Sequence, residues 1–277
     1  MSLNSINTNV GAQIALQTLN STNAALETAQ NQVSTGLRIA GAKDDGAIWS
    51  IAQGQRSQVT ALNAVTDSLN RASSVLDVAI TAGQTISDLL NQLKSNALEA
   101  SDTSLSTTDR ASLNAGFKAL VTQIQTAIGN ASFDGGNLIQ TGATALQALA
   151  GPSGNQKITL AAHSLSLGGA NLKLSATASF ATATQASNLL SVINTSITNV
   201  NSAVSALGTE SNQVTANLTF VSNLSNSLTQ GVGSLVDADV AAESATLQAL
   251  QTKQQLGIQA LSIANSSSSN LLHLFQG

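Results

Sequence analysis

The chain lacks cysteine and tyrosine, and it has one proline, one tryptophan and five phenylalanines in 277 residues. The absence of cysteine excludes disulfides, thiolate metal sites and cysteine nucleophiles. The scarcity of aromatic side chains argues against the apolar cleft of a small-molecule enzyme. Charged residues make up only 9% of the chain, and its basic residues are scattered singly, so no basic patch is available for nucleic acid. The abundant residues are Ala, Leu, Ser, Thr, Asn and Gln, which suit long helices packed on small and aliphatic side chains.

Catalytic and metal-binding motifs are also missing. The two histidines, His163 and His273, are far apart in the sequence, and no HExxH, GxGxxG, GxxxxGKS/T or GxSxG motif occurs. We therefore expect no catalytic site, no metal and no cofactor. The N-terminus lacks the positive and apolar regions of a secretory signal, and no apolar run approaches the ~20 residues of a membrane span. We expect neither a cleaved signal peptide nor membrane insertion.

The longest hydrophobic pattern lies in the C-terminal third. Apolar residues recur there at alternating steps of four and three, and only Ser211 and Ser225 interrupt them. We call such a stripe a seam. This heptad repeat predicts one helix roughly 60 Å long, which must pack against helices of similar length. The positions of this seam are Ile193, Ile197, Val200, Val204, Leu207, Ser211, Val214, Leu218, Val221, Ser225, Leu228, Val232 and Leu235.

A second seam of the same spacing occurs earlier in the chain. A shorter third seam follows Ser106–Asp109, whose Ser-x-x-Asp spacing is typical of a helix N-terminus. Three amphipathic helices can enclose a common core, so these seams predict a helical bundle rather than a binding groove. The second seam is Leu62, Val65, Leu69, Ala72, Leu76, Ala79, Gly83, Ile86, Leu90, Leu93, Ala97 and Ala100, and the third is Leu113, Phe117, Leu120, Ile124 and Ala127.

The hydrophobic period changes to two between residues 132 and 182. Leucine and isoleucine alternate there with other residues, and glycines punctuate the segment. Alternation predicts short strands, and Gly168–Gly169 lies where a hairpin turn is needed. We expect a small antiparallel β-hairpin insertion that forms an exposed and variable face.

The two ends of the chain carry weaker seams diluted with Asn, Gln and Ser. The N-terminal positions are Ala12, Leu16, Leu19, Asn23, Leu26, Gln30 and Val33, and the C-terminal positions are Val240, Ser244, Leu247, Gln251, Gln254, Ile258, Leu261, Asn265, Ser268, Leu272 and Phe275. Such a terminal helix pair is expected to gain order by packing against copies of itself, although frayed ends without a role are the alternative. The residues predicted to form this polymerisation interface are Leu16, Leu19, Leu26, Val33, Leu247, Ile258, Leu261 and Leu272.

A joining segment, STGLRIAGAKDDGAIWSIA, follows the N-terminal seam. Its glycines, beginning with Gly36, permit the chain to leave one helix and enter another at a new angle. Arg38, Lys43, Asp44 and Asp45 concentrate charge in a chain that has little of it. Two interpretations stay open: an ion-pair cluster within or between subunits, and a solvated linker.

The joining segment closely resembles the segment that connects the inner and outer helical domains of bacterial flagellins. Two further stretches match this family in the expected order, FDGGNL at 133–138 after the third helix and VDAD at 236–239 before the C-terminal helix. The two aspartates of VDAD are also interpreted more simply as helix caps. The resemblance covers residues 1–140 and 183–277 and leaves the β insertion unmatched.

The resemblance implies a mainly α fold, an elongated rod of long coiled-coil-like helices with an inner terminal pair and an outer bundle that bears the β-hairpin. The implied inner domain is 1–44 with 237–277, the outer bundle is 45–131 with 183–236, and the insertion is 132–182. It also implies a short flagellin without enzymatic activity, which self-assembles into the extracellular flagellar filament for swimming motility.

The resemblance further implies an export route and partners. A flagellin is expected to pass unfolded through the flagellar type III apparatus, with an export chaperone holding its C-terminal segment, and to meet the filament cap and hook-junction proteins. Two alternatives stay open. A hook–filament junction protein is similar at both termini, and a flagellin-like secreted adhesin carries a large insertion between the outer helices. The joining segment and the matched outer helices favour a flagellin.

Overall fold

The structure, a computed structural model, describes the backbone of residues 8–274 and the side chains of residues 8–266. Long helices and one small antiparallel sheet make up this part of the chain, so the predicted mainly α fold class is confirmed. Two of the helices have 55 and 54 residues and are each about 80 Å long. The elements are α1 (Val10–Thr35), α2 (Gly46–Ala100), α3 (Thr107–Asn130), β1 (Leu146–Leu149), β2 (Lys157–Leu160), α4 (Ala183–Val236) and α5 (Val240–Leu274).

The predicted seam of α2 is confirmed at every position, because all twelve of its residues are buried. α4 packs against this seam and approaches closely at Gly83, where an added Cβ would lie 2.5 Å from Val204 Cγ2. About one turn further along α2, Ser87 Oγ donates to Asn201 Oδ1 at 2.8 Å. The glycine in the seam therefore serves the close approach of the two helices.

The seam of α4 is confirmed as well, and its burial is uneven. Residues spaced by seven are buried from Ile193 to Val221, while the positions between them are half-buried. The core of the bundle therefore lies along one edge of the predicted stripe.

α3 begins where the Ser-x-x-Asp spacing predicts. Ser106 Oγ accepts from Asp109 N at 3.1 Å and donates to Asp109 Oδ2 at 2.6 Å. The buried apolar residues of α3 are Phe117, Val121, Ile124 and Ile128. The predicted positions Leu120 and Ala127 are only half-buried, so this seam is displaced by one residue at two places.

The β-hairpin does not lie where the glycine pattern indicates. β1 and β2 pair antiparallel, with Leu146 opposite Leu160 and Leu149 opposite Lys157. The loop between them carries a proline and two glycines, which supply the change of direction. The turn predicted at Gly168–Gly169 is present, since Gly168 has φ 75° and Gly169 N donates to Ser166 O at 3.0 Å. It joins only an isolated bridge between Leu167 and Leu172, so the strand pair predicted around it is wrong.

The rest of the insertion covers the three helices of the bundle. Ser68 of α2, Asn114 of α3 and Ser196 of α4 each accept a hydrogen bond from one of its backbone N–H groups. Phe180 packs edge-on against Phe117, with ring centroids 5.2 Å apart. The exposed, variable face of the insertion stays a prediction. Most large apolar side chains of the insertion are buried, while Phe133 is 40% exposed. The buried ones are Leu138, Ile139, Ile158, Leu160, Leu165, Leu172, Leu174 and Phe180.

The chain divides into two compact units. Unit 1 comprises Met1–Ser57 with Ser227–Gly277, and unit 2 comprises Gln58–Asn226. Unit 1 holds the terminal helices and the joining segment, and unit 2 holds α3 and the hairpin. The finer division into an inner domain, an outer bundle and an insertion stays a prediction.

Candidate functional site: the terminal helix pair

Two short links meet in unit 1, one between α1 and α2 and the other between α4 and α5. Gly36 ends α1 in the left-handed region at φ 70°, where a side chain is rarely tolerated. Arg38 N then donates to Val236 O at 2.7 Å, and Ala238 N donates to Gly36 O at 2.9 Å. The Arg38 guanidinium also donates to Leu235 O at 2.7 Å, at the C-terminus of α4. We call these bonds the link ladder, and they tie the end of α1 to the start of α5.

Aspartates of both links cap the helices that follow. Asp45 Oδ1 and Asp239 Oδ1 each accept hydrogen bonds from two backbone N–H groups, at the starts of α2 and α5. Asp44 Oδ2 accepts two more, at 2.9 and 3.0 Å, and closes the turn before α2. The interpretation of Asp239 as a cap is confirmed. Asp237 instead forms an isolated β-bridge with Leu37.

The charged residues of the joining segment bond to backbone groups rather than to each other. Arg38 donates to a carbonyl oxygen, and Asp44 and Asp45 accept from N–H groups. Within residues 8–266, no ion pair joins any two of Arg38, Lys43, Asp44 and Asp45. An ion pair between one of them and another copy of the chain stays a prediction.

A small apolar core holds the joining segment in place within unit 1. Ile39 and Ala52 are buried together with Val232 and Val236 from the end of α4. Trp49, the only tryptophan of the chain, packs against this cluster. The start of α2 is therefore fixed against the end of α4.

α1 packs against α5, along a seam that differs from the predicted one. The less exposed residues of both helices follow the heptad spacing. They are Ala12, Ala15, Leu19, Thr22, Leu26, Ala29 and Val33 in α1, and Ser244, Leu247, Leu250, Gln254, Gly257, Leu261 and Ala264 in α5. In both helices, alternate positions of the observed seam lie one residue before the predicted ones, as Ala15 does before Leu16 and Gly257 before Ile258. Small side chains occupy several of these places, which lets the two helices approach closely.

Two contacts show which residues of the pair stand opposite one another. Gln254 Nε2 donates to Asn23 Oδ1 at 2.7 Å. About one turn away, a Cβ added to Gly257 would lie 3.3 Å from Leu19 Cδ1. Leu19 therefore fills the space that the missing side chain of Gly257 leaves.

Large apolar side chains of the terminal helices remain exposed to solvent. Ile263 is 70% exposed, Ile258 is 55% exposed and Leu16 is 48% exposed. Single exposed apolar residues are ordinary, but a group of them on two packed helices indicates an interaction surface. In the described part of α1 and α5 this group is Val10, Ile14, Leu16, Val240, Leu256, Ile258 and Ile263. We call these residues the exposed apolar set.

The predicted interface residues fall into two groups. Leu16 and Ile258 belong to the exposed apolar set. Five others are half-buried in the seam between α1 and α5, and they are Leu19, Leu26, Val33, Leu247 and Leu261. Leu272 lies outside the side chains that the structure describes.

Sequence reasoning missed Ile14, Leu256 and Ile263 as exposed apolar residues. Where a large apolar residue neighbours a small one, periodicity favours the larger residue, as at Leu16 beside Ala15 and at Ile258 beside Gly257. The signal that identifies the true seam is the recurrence of alanine and glycine at heptad spacing, at positions such as Ala15 and Gly257.

Among the residues that the structure describes, no three His, Asp or Glu side chains group together as metal ligands. In that same part of the chain, the helices fall short of the length and apolar character that a bilayer crossing requires. His163 Nε2 lies 3.6 Å from Glu210 Oε1, in unit 2, where the insertion meets α4.

Comparison with known proteins assigns the two ends of the chain to one family. Residues 6–144 match the bacterial flagellin N-terminal helical region, and residues 190–275 match the bacterial flagellin C-terminal helical region. The chain is 51% identical over 276 residues to flagellin FljM of Caulobacter vibrioides, and the match covers 100% of both chains. The chain belongs to the bacterial flagellin family.

Two further sequence relatives match this flagellin over nearly its whole length. Flagellin FljK of Caulobacter vibrioides is 49% identical over 276 residues, with 100% of both chains covered. The flagellin of Brucella melitensis is 38% identical over 283 residues, with 99% of each chain covered. The crystal structure of Bacillus cereus flagellin is 21% identical and covers 55% of this chain and 86% of that one, with a TM-score of 0.47. The family assignment rests on the sequence relatives.

As a flagellin, the chain is a structural subunit of the flagellar filament, which lies outside the cell and forms by self-assembly. The prediction of a flagellin without enzymatic activity is confirmed. These full-length relatives are themselves flagellins, which favours this assignment over a hook–filament junction protein or an adhesin.

Proposed function

We propose that the exposed apolar set of α1 and α5 is the polymerisation interface of this flagellin. Leu16 and Ile258 contact neighbouring copies directly. The half-buried seam residues, such as Leu19 and Leu261, hold the two helices together, so both helices present the exposed apolar set as one pair. The observation that supports this assignment is the exposure of large aliphatic side chains on a helix pair whose own seam is closed by other residues.

The expected energy of this interface follows from the exposed area. Leu16 and Ile258 each expose about half of the side chain. Burying the exposed half of a leucine or isoleucine contributes about 1 kcal/mol. Replacing both by asparagine therefore removes about 2 kcal/mol per added subunit, which corresponds to a rise of about 30-fold in the critical concentration for polymerisation.

The test is seeded polymerisation of the double variant Leu16→Asn with Ile258→Asn, followed by sedimentation and electron microscopy. Leu98→Asn is the matched control, because Leu98 is an equally exposed leucine of unit 2. We expect the double variant to retain the helix content of the wild-type monomer and to need a far higher concentration to form filaments. Polymerisation of the double variant at the wild-type critical concentration contradicts the proposal.

We further propose that an export chaperone covers the C-terminal segment before assembly. The support is that Leu256, Ile258 and Ile263 of α5 are each more than half exposed, and an unassembled subunit must keep such apolar residues from aggregating. The filament cap and the hook-junction proteins are proposed to meet the same terminal helices once the subunit reaches the filament.

Deletion of residues 237–277 tests this role of the C-terminal segment. We expect the shortened chain to stay soluble, to form no filaments in the electron microscope and to lose binding to the flagellin export chaperone of the same organism. Normal filaments, or undiminished chaperone binding, contradict the proposal.

A further inference from the structure

We propose that Asp134 is a site of spontaneous modification, at which an isoaspartate forms in the turn after α3. The chain has two Asp-Gly pairs, Asp45–Gly46 and Asp134–Gly135, and it has no Asn-Gly pair. An Asp-Gly pair is reactive because glycine has no side chain to shield its backbone nitrogen from the preceding carboxyl group. The two pairs have the same chemistry, and the structure places them in different surroundings.

The reaction requires only water and no cofactor or oxidant. Gly135 N attacks Cγ of the protonated Asp134 side chain, and the carboxyl OH leaves with the amide proton as water. The product is a five-membered succinimide ring. Water then adds back and breaks the bond between the main-chain carbonyl carbon of Asp134 and Gly135 N. The two residues are now joined through Cγ, the α-carboxylate is free, and the mass of the chain is unchanged.

The surroundings of Asp134 leave it open to this attack. Asp134 is exposed, and among the described residues neither its carboxylate nor Gly135 N has a hydrogen-bond partner. An added Cβ on Gly135 would meet no atom within 4 Å, so the ring has room to form. In that same part of the chain, Asp134 is the only residue besides glycines with a positive φ, at 49°. Opening the turn releases this strain.

Asp45, in contrast, is held by the start of α2. Its Oδ1 accepts from Ala47 N and Ile48 N, both at 3.0 Å. Its carbonyl oxygen accepts from Trp49 N at 2.9 Å. To react, the carboxylate must gain a proton and turn toward Gly46 N, which breaks the cap and disturbs the first turn of the helix. Loss of such a cap costs about 1 kcal/mol or more, which corresponds to a rate lower by about tenfold.

An isoaspartate changes the turn because it adds one methylene to the backbone. Phe133 and Gly136 exchange two N–H to carbonyl bonds, each of 2.9 Å, and the longer backbone cannot keep both. Gly136 also lies close to the hairpin, since an added Cβ would be 2.9 Å from Leu146 Cδ1. The modification therefore loosens the insertion where it leaves α3. Because the flagellar filament lies outside the cell, the change accumulates as the filament ages.

The test compares the two Asp-Gly pairs within one chain. The purified monomer is kept at neutral pH in warm buffer for several weeks. An isoaspartyl methyltransferase then adds a labelled methyl group to the free α-carboxylate of each isoaspartate, and peptide mass spectrometry assigns the site. A second sample is aged in urea, where neither the turn nor the helix cap is present.

We expect the folded chain to gain about tenfold more label at Asp134 than at Asp45, because the cap protects Asp45. In urea the two sites gain similar amounts of label. Asp134→Glu keeps the charge but requires a larger and less favourable ring, so label at this site is lost. Asp45→Glu is the matched control, and it leaves the label at Asp134 unchanged. In the aged wild-type chain, hydrogen exchange becomes faster at the amides of Phe133 and Gly136.

Two results overturn the proposal. If Asp134 gains label in urea and stays unlabelled in the folded chain, the turn protects this pair. If Asp45 and Asp134 gain equal label in the folded chain, the dipeptide alone sets the rate and the surroundings that distinguish the two sites have no effect.

Discussion

Replacing Gly83 by alanine tests the close approach of α2 and α4. In an open helical position this change is stabilising by about 1 kcal/mol, because alanine has the higher helix propensity. At Gly83 the added methyl would meet Val204 Cγ2 at 2.5 Å, more than 1 Å inside the contact distance of about 3.5–4 Å. Val204 is β-branched and has one strongly preferred rotamer in a helix, so it cannot turn away cheaply. Overpacking of this kind costs about 1–3 kcal/mol. Set against the propensity gain, this leaves an expected net loss of up to about 2 kcal/mol.

The assay is urea unfolding followed by circular dichroism, with two companion variants. Gly208→Ala is the matched control, since Gly208 lies in α4 with nothing within 4 Å of an added Cβ, and we expect it to gain about 0.5–1 kcal/mol. Val204→Ala removes the clashing methyl, so it restores part of the loss when combined with Gly83→Ala. Stabilisation by Gly83→Ala, or additive effects of the Gly83 and Val204 changes, refutes the reasoning.

Three further predictions concern single residues of unit 2. Ser196 is fully buried and accepts from Lys173 N, so Ser196→Ala leaves that N–H unpaired and lowers the unfolding free energy in urea by about 1–3 kcal/mol. Arg110 is buried and donates to three backbone carbonyl groups at 2.7 to 3.3 Å, so Arg110→Met costs about 2–4 kcal/mol in the same assay. Hydrogen bonds from the backbone and hydroxyl of Ser104 hold the pKa of Asp102 below its ordinary value. The stability that the ionised Asp102 carboxylate contributes is present at neutral pH and is lost as pH falls through the lowered pKa. We expect Ser104→Ala to raise the pKa of Asp102 in an NMR titration.

The long seams of the bundle were predictable because the same spacing persists over many heptads. Along α2 every predicted position is buried, including Gly83, although Leu76 and Leu90 have the apolar neighbours Val75 and Leu89, which are buried as well. In α3 the choice was ambiguous, because Leu120 has the apolar neighbour Val121 and Ala127 has Ile128. Periodicity allows either residue of such a pair, and tertiary packing selects the second.

The terminal seam was misplaced for a different physical reason. Pattern reasoning gives large aliphatic residues more weight than alanine, so it chose Leu16 over Ala15 and Ile258 over Gly257. At these two positions the close packing of α1 and α5 favours the small residue, and Leu16 and Ile258 remain exposed. The hairpin position was ambiguous because two turn-forming stretches compete, and only the first of them joins paired strands.

The link ladder was not accessible from the sequence. Its glycines and charges marked residues 34–52 as a place where the chain changes direction. The bonds of Arg38 to Leu235 and Val236 join segments far apart in the chain, and nothing in the spacing of charges indicates them. The family resemblance identified the segment, and the structure supplied its partners.

The positions of Leu16 and Ile258 in the assembled filament test the central claim most directly. Electron microscopy of filaments grown from the purified chain gives these positions once the helices are resolved. We predict that both side chains lie within about 4.5 Å of apolar side chains from neighbouring copies. If both side chains face solvent while other surfaces join the copies, the terminal helices do not polymerise through the exposed apolar set.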